Sequence, residues 1–354
     1  MMKDLAFLNS KILIVGGAGF VGSNLAHFLL SEYQIKELWI VDNLLSSDTT
    51  NIPVDNRLIF LLGSIAEDKI LNKLPKDLDY VFHLACYHGN QSSIENPLKD
   101  HENNTFTSLK LFEHLKDYKG LKKVVYAAAG CAVAEKTYDD AQATLEDAPV
   151  SLFHDSPYSI SKLIGEMYGN YYFLRYKLPF VKARFQNVYG PREILGAGSW
   201  RGTIHTVWRN VIPTFIWKAL NGQALPLDNG GIASRDFIYV EDMAKGLVAC
   251  ALKGNIGEAY NLASGVETSI LELANTINEL TSNSNNIILN PARDWDRSGK
   301  RFGSTLKSSE QLNFVANTSI TVGLLKTVEW TKINSELISQ NMIKHDFMMN
   351  QLIK

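Results

Sequence analysis

The sequence predicts an α/β protein: a doubly wound parallel sheet followed by a smaller, mixed C-terminal domain. Two features carry this expectation. Short, nearly unbroken apolar runs alternate with helical stretches through the first half, and a glycine-rich turn closes the first run. Strands covered by helices on both faces read as continuous apolar runs, and parallel neighbours are joined by right-handed crossovers.

In chain order, Lys11–Val15 reads as the first strand. Phe20–Leu30 reads as the first helix, with Val21, Leu25, Phe28 and Leu29 at helical spacing. Glu37–Val41, Arg57–Leu62, Tyr80–Leu84 and Lys123–Ala128 are further strand-length runs. The pattern loosens after Gly190. Residues 190–230 are rich in Gly, Trp and Pro, with one helical stretch near Val207–Leu220. Strand-like runs return at Phe237–Val240 and Ala259–Leu262, and the polar, Met-rich segment from about 335 reads as a terminal helix. The expected division is therefore 1–188, 189–334 (with segments near 235–262 passing back to the first domain) and a helical tail over 335–354.

Composition narrows the function classes. Hydrophobic residues make up 45% and charged residues 20%, which supports a large core. Lys and Arg total 35 against 37 Asp and Glu, a net charge of −2, which argues against a nucleic-acid binder held by backbone electrostatics. A local basic cleft for one phosphorylated small molecule is still compatible. Cys86, Cys131 and Cys250 are widely spaced and free of a CxxC pair, so neither a disulfide framework nor a zinc site is expected. No apolar run is long enough to span a bilayer, and MMKDLAFLNSK lacks the apolar core of a signal peptide. The expectation is a cytoplasmic protein with no membrane partner and no metal.

Val15-Gly16-Gly17-Ala18-Gly19-Phe20-Val21-Gly22 links the first strand to the first helix. Gly16 permits the tight turn, Gly19 lets the backbone approach a pyrophosphate, and Gly22 lets helix and strand pack closely. The helix N-terminus at Phe20 and Val21 offers unpaired N–H groups and a positive dipole end. Asp42 ends the second strand 20 positions after Gly22. Its carboxylate can accept hydrogen bonds from an adenosine ribose and would repel a 2′-phosphate, and Asn43 and Leu44 supply no cation for one. NAD is expected rather than NADP.

Tyr158 and Lys162 are four apart in Tyr-Ser-Ile-Ser-Lys, on one face of a helix. A phenol near its ordinary pKa of about 10 is a poor base at neutral pH, and a neighbouring ammonium together with a nicotinamide cation favours the phenolate. The lysine can also hold the nicotinamide ribose.

With these residues in place the chain resembles the extended short-chain dehydrogenase/reductase family that acts on nucleotide sugars, over about residues 10–330. The resemblance rests on GGAGFVG, Asp42, FHLA at 82–85, Ser93 with Pro97, Asn104 and YSISK. It also rests on RFQNVYGPR at 184–192, VIPTFI at 211–216, RDFIYVEDMA from Arg235 and AYNLASG from Ala259. It implies a Rossmann domain with tightly held NAD, contacted also by Ser64, Ile65, Leu84 and Ala85, and a smaller domain gripping a nucleotide diphosphate. Asn187 and Arg235 are the implied diphosphate contacts. Arg301 is a further nucleotide contact with Arg293 and Arg297 as rivals, and Ser93 and Val211 are further substrate contacts. A homodimer is implied, paired through helices near 100–117 and 157–176.

One departure matters. The family carries Ser or Thr at the strand end before the Tyr motif, and here that position is Ala129, in Ala127-Ala128-Ala129-Gly130-Cys131. Without that hydroxyl, Tyr158 has to meet the sugar directly or through water. Gly130-Cys131 replaces the Asp-Glu pair of the 4,6-dehydratases, and the glutamate of the uronic-acid decarboxylases is also missing. Cys131 sits where 3,5-epimerase/reductases have a cysteine, but their later histidine is Arg192 here, so only half of an acid–base pair is visible. Cys131 and His83 are read as packing residues, and His88 and His205 are left unassigned.

What remains is oxidation of a nucleotide sugar at C4 with Tyr158 as base. The expected enzyme is a dehydrogenase, since Ala129 fits poorly with both removing and returning hydride. The 190–210 loop and the alanine site are similar to the GDP-heptose 4-dehydrogenases of bacterial capsule pathways. A 2-oxo acid is the expected reoxidant of retained NADH. The alternatives are a UDP- or GDP-sugar 4-epimerase and a non-catalytic NAD-binding regulator, for which Tyr158 and Lys162 would have no use.

Overall fold

The computed structural model describes residues 5–134, 137–292 and 299–352. The central sheet is built first from β1 (Lys11–Val15), β2 (Glu37–Asp42), β3 (Leu58–Leu62), β4 (Tyr80–His83), β5 (Lys123–Ala129) and β6 (Phe180–Phe185). They are followed by β7 (Asn187–Tyr189), β8 (Ser234–Tyr239), β9 (Ala259–Leu262) and β10 (Glu267–Ser269). Seven of these form one parallel sheet in the order β9-β6-β5-β4-β1-β2-β3. The strand order reverses at β1, which opens a crevice beyond the C-terminal ends of β1 and β4. A smaller sheet, β10-β8-β7, is mixed: β8 runs parallel to β7 and antiparallel to β10.

The alternation along β1 shows why a continuous apolar run is required. Ile12 and Ile14 enter one core with α1 (Phe20–Glu32), whereas Leu13 and Val15 enter a second core with α2 (Thr107–Leu115) on the opposite face. A third core joins Tyr189 and Tyr239 of the small sheet to Ile212 and Ile216 of the helix Val211–Leu220. The chain does pass back after 189, though not at β8. Strand β9 pairs with β6 in the large sheet, and the helix Val240–Lys253 contributes Met243 and Leu247 to the α1 core. The tail forms two helices, Ser335–Ile343 and Asp346–Leu352, rather than one.

Strand β6 is not announced by the sequence, because Lys182 and Arg184 break its apolar run. Both charges are buried and are paired by the helix α3 (Pro157–Tyr176). Lys182 Nζ donates to Asn170 Oδ1 (2.7 Å) and to the Gly257 carbonyl (2.6 Å). Arg184 makes a bidentate pair with Glu166, Nε to Oε1 at 3.0 Å and Nη2 to Oε2 at 2.9 Å. Removing one member of such a pair leaves an uncompensated buried charge. Glu166→Ala is accordingly expected to destabilise the fold by about 3–5 kcal/mol, read as a lowered urea midpoint. A loss below about 1 kcal/mol, the value of an exposed pair, would show that the pair does not anchor α3.

Candidate active site

The crevice at the switch point is a cavity of about 790 Å³ shared by the two lobes. Its wall is built first by the glycine turn. Gly16 has φ +86°, and a Cβ there would lie 2.6 Å from the Ala85 amide nitrogen, so only glycine fits. A Cβ on Gly22 would lie 2.1 Å from the Gly16 carbonyl oxygen, which explains the close approach of α1. Helix α1 begins at N-cap Gly19 with no side-chain cap and no acid in its first turn. Its first amides, including those of Phe20 and Val21, are therefore left for an anionic ligand.

Asp42 closes β2 at the same wall. Its carboxylate accepts from the Ala18 amide (3.0 Å), the Leu44 amide (2.8 Å) and the Ser47 hydroxyl (2.8 Å). Burial raises its pKa and these bonds pull it back. Asn43, Ser64, Ile65, Leu84 and Ala85 line the cavity as well. A dinucleotide fits this set: a glycine turn with no room for side chains, unpaired helix amides for the diphosphate, and a carboxylate for a ribose.

Tyr158 and Lys162 project from the first turns of α3, which Ser156 caps by accepting from the Ser159 amide. Lys162 Nζ donates to the Ala127 carbonyl (2.9 Å) and lies 5.4 Å from the Tyr126 ring centre and 5.9 Å from that of Tyr158. Burial pushes the Tyr158 phenol well above its ordinary pKa, and Cys86 and Cys131 push it further. The expected lowering is thus not a property of the protein groups alone. The cation of an oxidised nicotinamide would have to join Lys162 in favouring the phenolate. Ala129 lies on the wall at the end of β5.

The second lobe brings Asn187, Val211, Arg235 and Arg301 to the same cavity. Arg235 Nη1 donates to the carbonyls of Ser234 and Gly299, both at 2.6 Å. Arg293 and Arg297 lie outside the described residues. Ser93 requires a correction. It is fully buried and absent from the cavity wall. Its hydroxyl donates to the Asn90 carbonyl (2.7 Å) and accepts from the Tyr158 amide (3.1 Å), so it holds the start of α3 instead of touching substrate. Asn104 does similar work from a π-helical segment, His101–Phe106. It accepts from the Tyr87 amide (2.7 Å) and donates to Ser161 Oγ (3.2 Å).

Cys131 is also placed differently from the sequence expectation: it is half-buried on the cavity wall. His83 is a core residue, donating from Nε2 to Ser108 (2.9 Å), whose own hydroxyl is committed to the Asn104 carbonyl (2.6 Å). His88 packs edge-on to Tyr158 with ring centres 5.9 Å apart. Its Nε2 meets Asn210 Oδ1 at 3.1 Å, and Asn210 Nδ2 donates in turn to Glu193 Oε1. All three line the cavity. The sequence reading passed over Glu193 and Asn210. A usable signal was an acid at the end of GPRE, in a loop whose neighbours Ile194 and Leu195 are apolar. Among the described residues, no cluster of three or more His, Cys, Asp or Glu could hold a metal, and no helix is long and apolar enough to cross a membrane.

If Ser93 sets the height of Tyr158, Ser93→Ala should cost about 1 kcal/mol of stability and lower kcat with KM for substrate unchanged. A raised KM at constant kcat would return Ser93 to the substrate contacts. Gly22→Ala should abolish NAD retention, measured as nucleotide released on denaturing the protein after gel filtration.

Known proteins fit this geometry. A crystal structure of the Bordetella bronchiseptica enzyme WbmF in complex with NAD+ and UDP superposes with a TM-score of 0.88 and 53% sequence identity, covering 98% of this chain and 100% of that one. The Thermotoga maritima UDP-glucose 4-epimerase, solved with UDP-glucose, is 28% identical with a TM-score of 0.81, covering 92% and 99% of the two chains. A putative UDP-glucose 4-epimerase of Methanocaldococcus jannaschii is 30% identical over 327 residues, 92% of this chain and 99% of its own. Residues 12–263 match the model of one family. With the glycine turn, Asp42 and the Tyr158–Lys162 pair converging on one cavity, this chain belongs to the NAD dependent epimerase/dehydratase family, and its cofactor is NAD.

Proposed function

We propose that the protein is a UDP-sugar epimerase that works through transient oxidation at C4. The observation that carries this reading is the clasp over the cofactor end of the cavity. The Ser199 amide donates to the Leu45 carbonyl (3.0 Å), Arg209 Nη1 to the Ser46 carbonyl (2.6 Å), and Asn341 Nδ2 to Asp48 Oδ2 (3.1 Å). The segment after Asp42 is therefore tied down by the 198–209 loop and by the tail. A cofactor enclosed in this way exchanges slowly, so the redox chemistry has to balance within one turnover. That favours returning the hydride over releasing a keto sugar, which would need a second substrate, such as a 2-oxo acid, to reoxidise the retained NADH in place. The uridine nucleotide follows the UDP and UDP-glucose complexes of the two solved relatives.

NAD, held by Gly16–Val21, Asp42, Ser64, Ile65, Leu84, Ala85 and Lys162, supplies the hydride acceptor. Tyr158 takes the proton of the C4 hydroxyl and returns it. Lys162, held by Ala127, supplies the positive charge that favours the phenolate. Ala129 contributes no hydrogen bond, so Tyr158 and the sugar hydroxyl meet directly or through water. Asn187, Arg235 and Arg301 grip the diphosphate. The homodimer implied by the family resemblance would pair α2 and α3.

A second reading has its own observation. Cys131 and His88 both line the cavity, and His88 packs against Tyr158, which supports reading His88 as the missing partner of Cys131 in an acid–base pair. Such a pair can remove and replace a carbon-bound proton next to a C4 ketone.

One experiment separates these readings. UDP-sugars are incubated with the enzyme in heavy water, and the products are followed by NMR and by absorbance of reduced nicotinamide. A C4 epimer without deuterium and without lasting absorbance is the expected result. Deuterium at C3 or C5 supports the second reading, and lasting absorbance with a keto sugar supports a dehydrogenase. Tyr158→Phe is expected to lower turnover by about 10²–10⁴-fold, and full activity in that variant would overturn its role as base.

A further inference from the structure

Behind His88 lies a relay that the hydride chemistry does not use. Asn210 sits between His88 Nε2 and Glu193 Oε1. Glu193 is 9% exposed, and its other oxygen, Oε2, is buried without a partner among the described residues. An ionised carboxylate only accepts, so it turns the Asn210 amide nitrogen toward itself and the amide oxygen toward His88. His88 must then donate from Nε2, which leaves the Nδ1 lone pair as its free valence. A protonated Glu193 would reverse each step. Its O–H would donate to the oxygen of a flipped Asn210, the amide N–H would donate to His88 Nε2, and the ring proton would sit on Nδ1.

We infer that Glu193 is a positioning residue: through Asn210 it sets the tautomer with which His88 faces the bound sugar, proton acceptor when Glu193 is ionised and proton donor when it is protonated. The proton count balances. One proton from solvent binds Glu193, and the ring keeps a single N–H that relocates from Nε2 to Nδ1. The sugar role rests on the proposed function above, whereas the tautomer change does not.

Burial places the change near neutrality against the pull of the surrounding charges. Burial pushes Glu193 up to about 7, while Asn210, His88 and Arg209 pull it down. Burial holds His88 below its ordinary value, and Arg201, whose Nη1 donates to the His88 carbonyl (2.8 Å), and Arg209 also oppose a positive ring. The Asn210 bond and Glu193 favour the charged ring but do not reverse the shift. The Tyr158 ring packs against His88 as well. These groups favour the neutral ring, the only state in which a tautomer is defined. Raising the pH through the Glu193 value ionises it and favours Nε2–H. Lowering the pH favours Nδ1–H.

The test is nitrogen NMR on the full chain with isotope-labelled histidine, the His88 signals being assigned by their loss in His88→Gln. From about pH 6 to about pH 8, wild type should move from the Nδ1–H to the Nε2–H pattern. In Glu193→Gln the pattern should be independent of pH, and Asn210→Ala should uncouple it too. A single tautomer across this range in wild type overturns the inference whatever the variants do, as does an unchanged titration in Glu193→Gln. No substrate is involved, so failure of UDP-sugar turnover would leave this result standing.

Discussion

The site depends on one buried ammonium. Lys162 lies 3% exposed, where the Ala127 carbonyl accepts from it, two aromatic faces flank it and the buried Asp100 carboxylate adds a favourable charge. That bond fixes the distance between the end of β5 and helix α3, and so the position of Tyr158 one turn earlier. The rest of the helix is arranged to allow it. Glu166 lies four residues on and pairs with Arg184 of β6. Gly165 and Gly169 have no room for a Cβ, which would fall 2.0 Å from Tyr126 Oη and from Phe180 Cε1 respectively. The helix is drawn to the sheet by charge and by close approach, so it lacks a pronounced apolar stripe.

The second constraint is the loop between the lobes. The 190–210 segment carries Glu193, Arg209 and Asn210 into the cavity and also reaches back to the segment after Asp42. It is itself held by the tail. Ile338 packs with Ile194, Leu195 and Ala197, and His345 Nε2 meets the Gly196 carbonyl at 2.8 Å. Residues far from the chemistry therefore determine how closed the cofactor end is.

Ala129 takes its meaning from this setting. A hydride site that loses one hydroxyl keeps its phenol, its lysine and its cofactor wall. It also has a thiol and an imidazole near the phenol, at Cys131 and His88. Neither the glycine motif nor YSISK encodes this placement of a thiol and an imidazole on the wall of the cavity.

The sequence by itself determined the parallel α/β sheet, the glycine turn, Asp42 and the Tyr158–Lys162 pair. Each of these depends on local spacing: apolar runs of strand length, a tight turn before a helix, and residues four apart on one helical face. Only the tertiary structure decided the rest. Strand β6 was hidden because its charges are neutralised by partners in α3. Ser93 moved from substrate to scaffold because its hydroxyl is taken up by Asn90 and Tyr158. Residues 88, 193 and 210 share a site because loops from two lobes meet above the sheet. Contacts between residues more than a hundred positions apart, such as His88 with Asn210, leave no periodic trace in the chain.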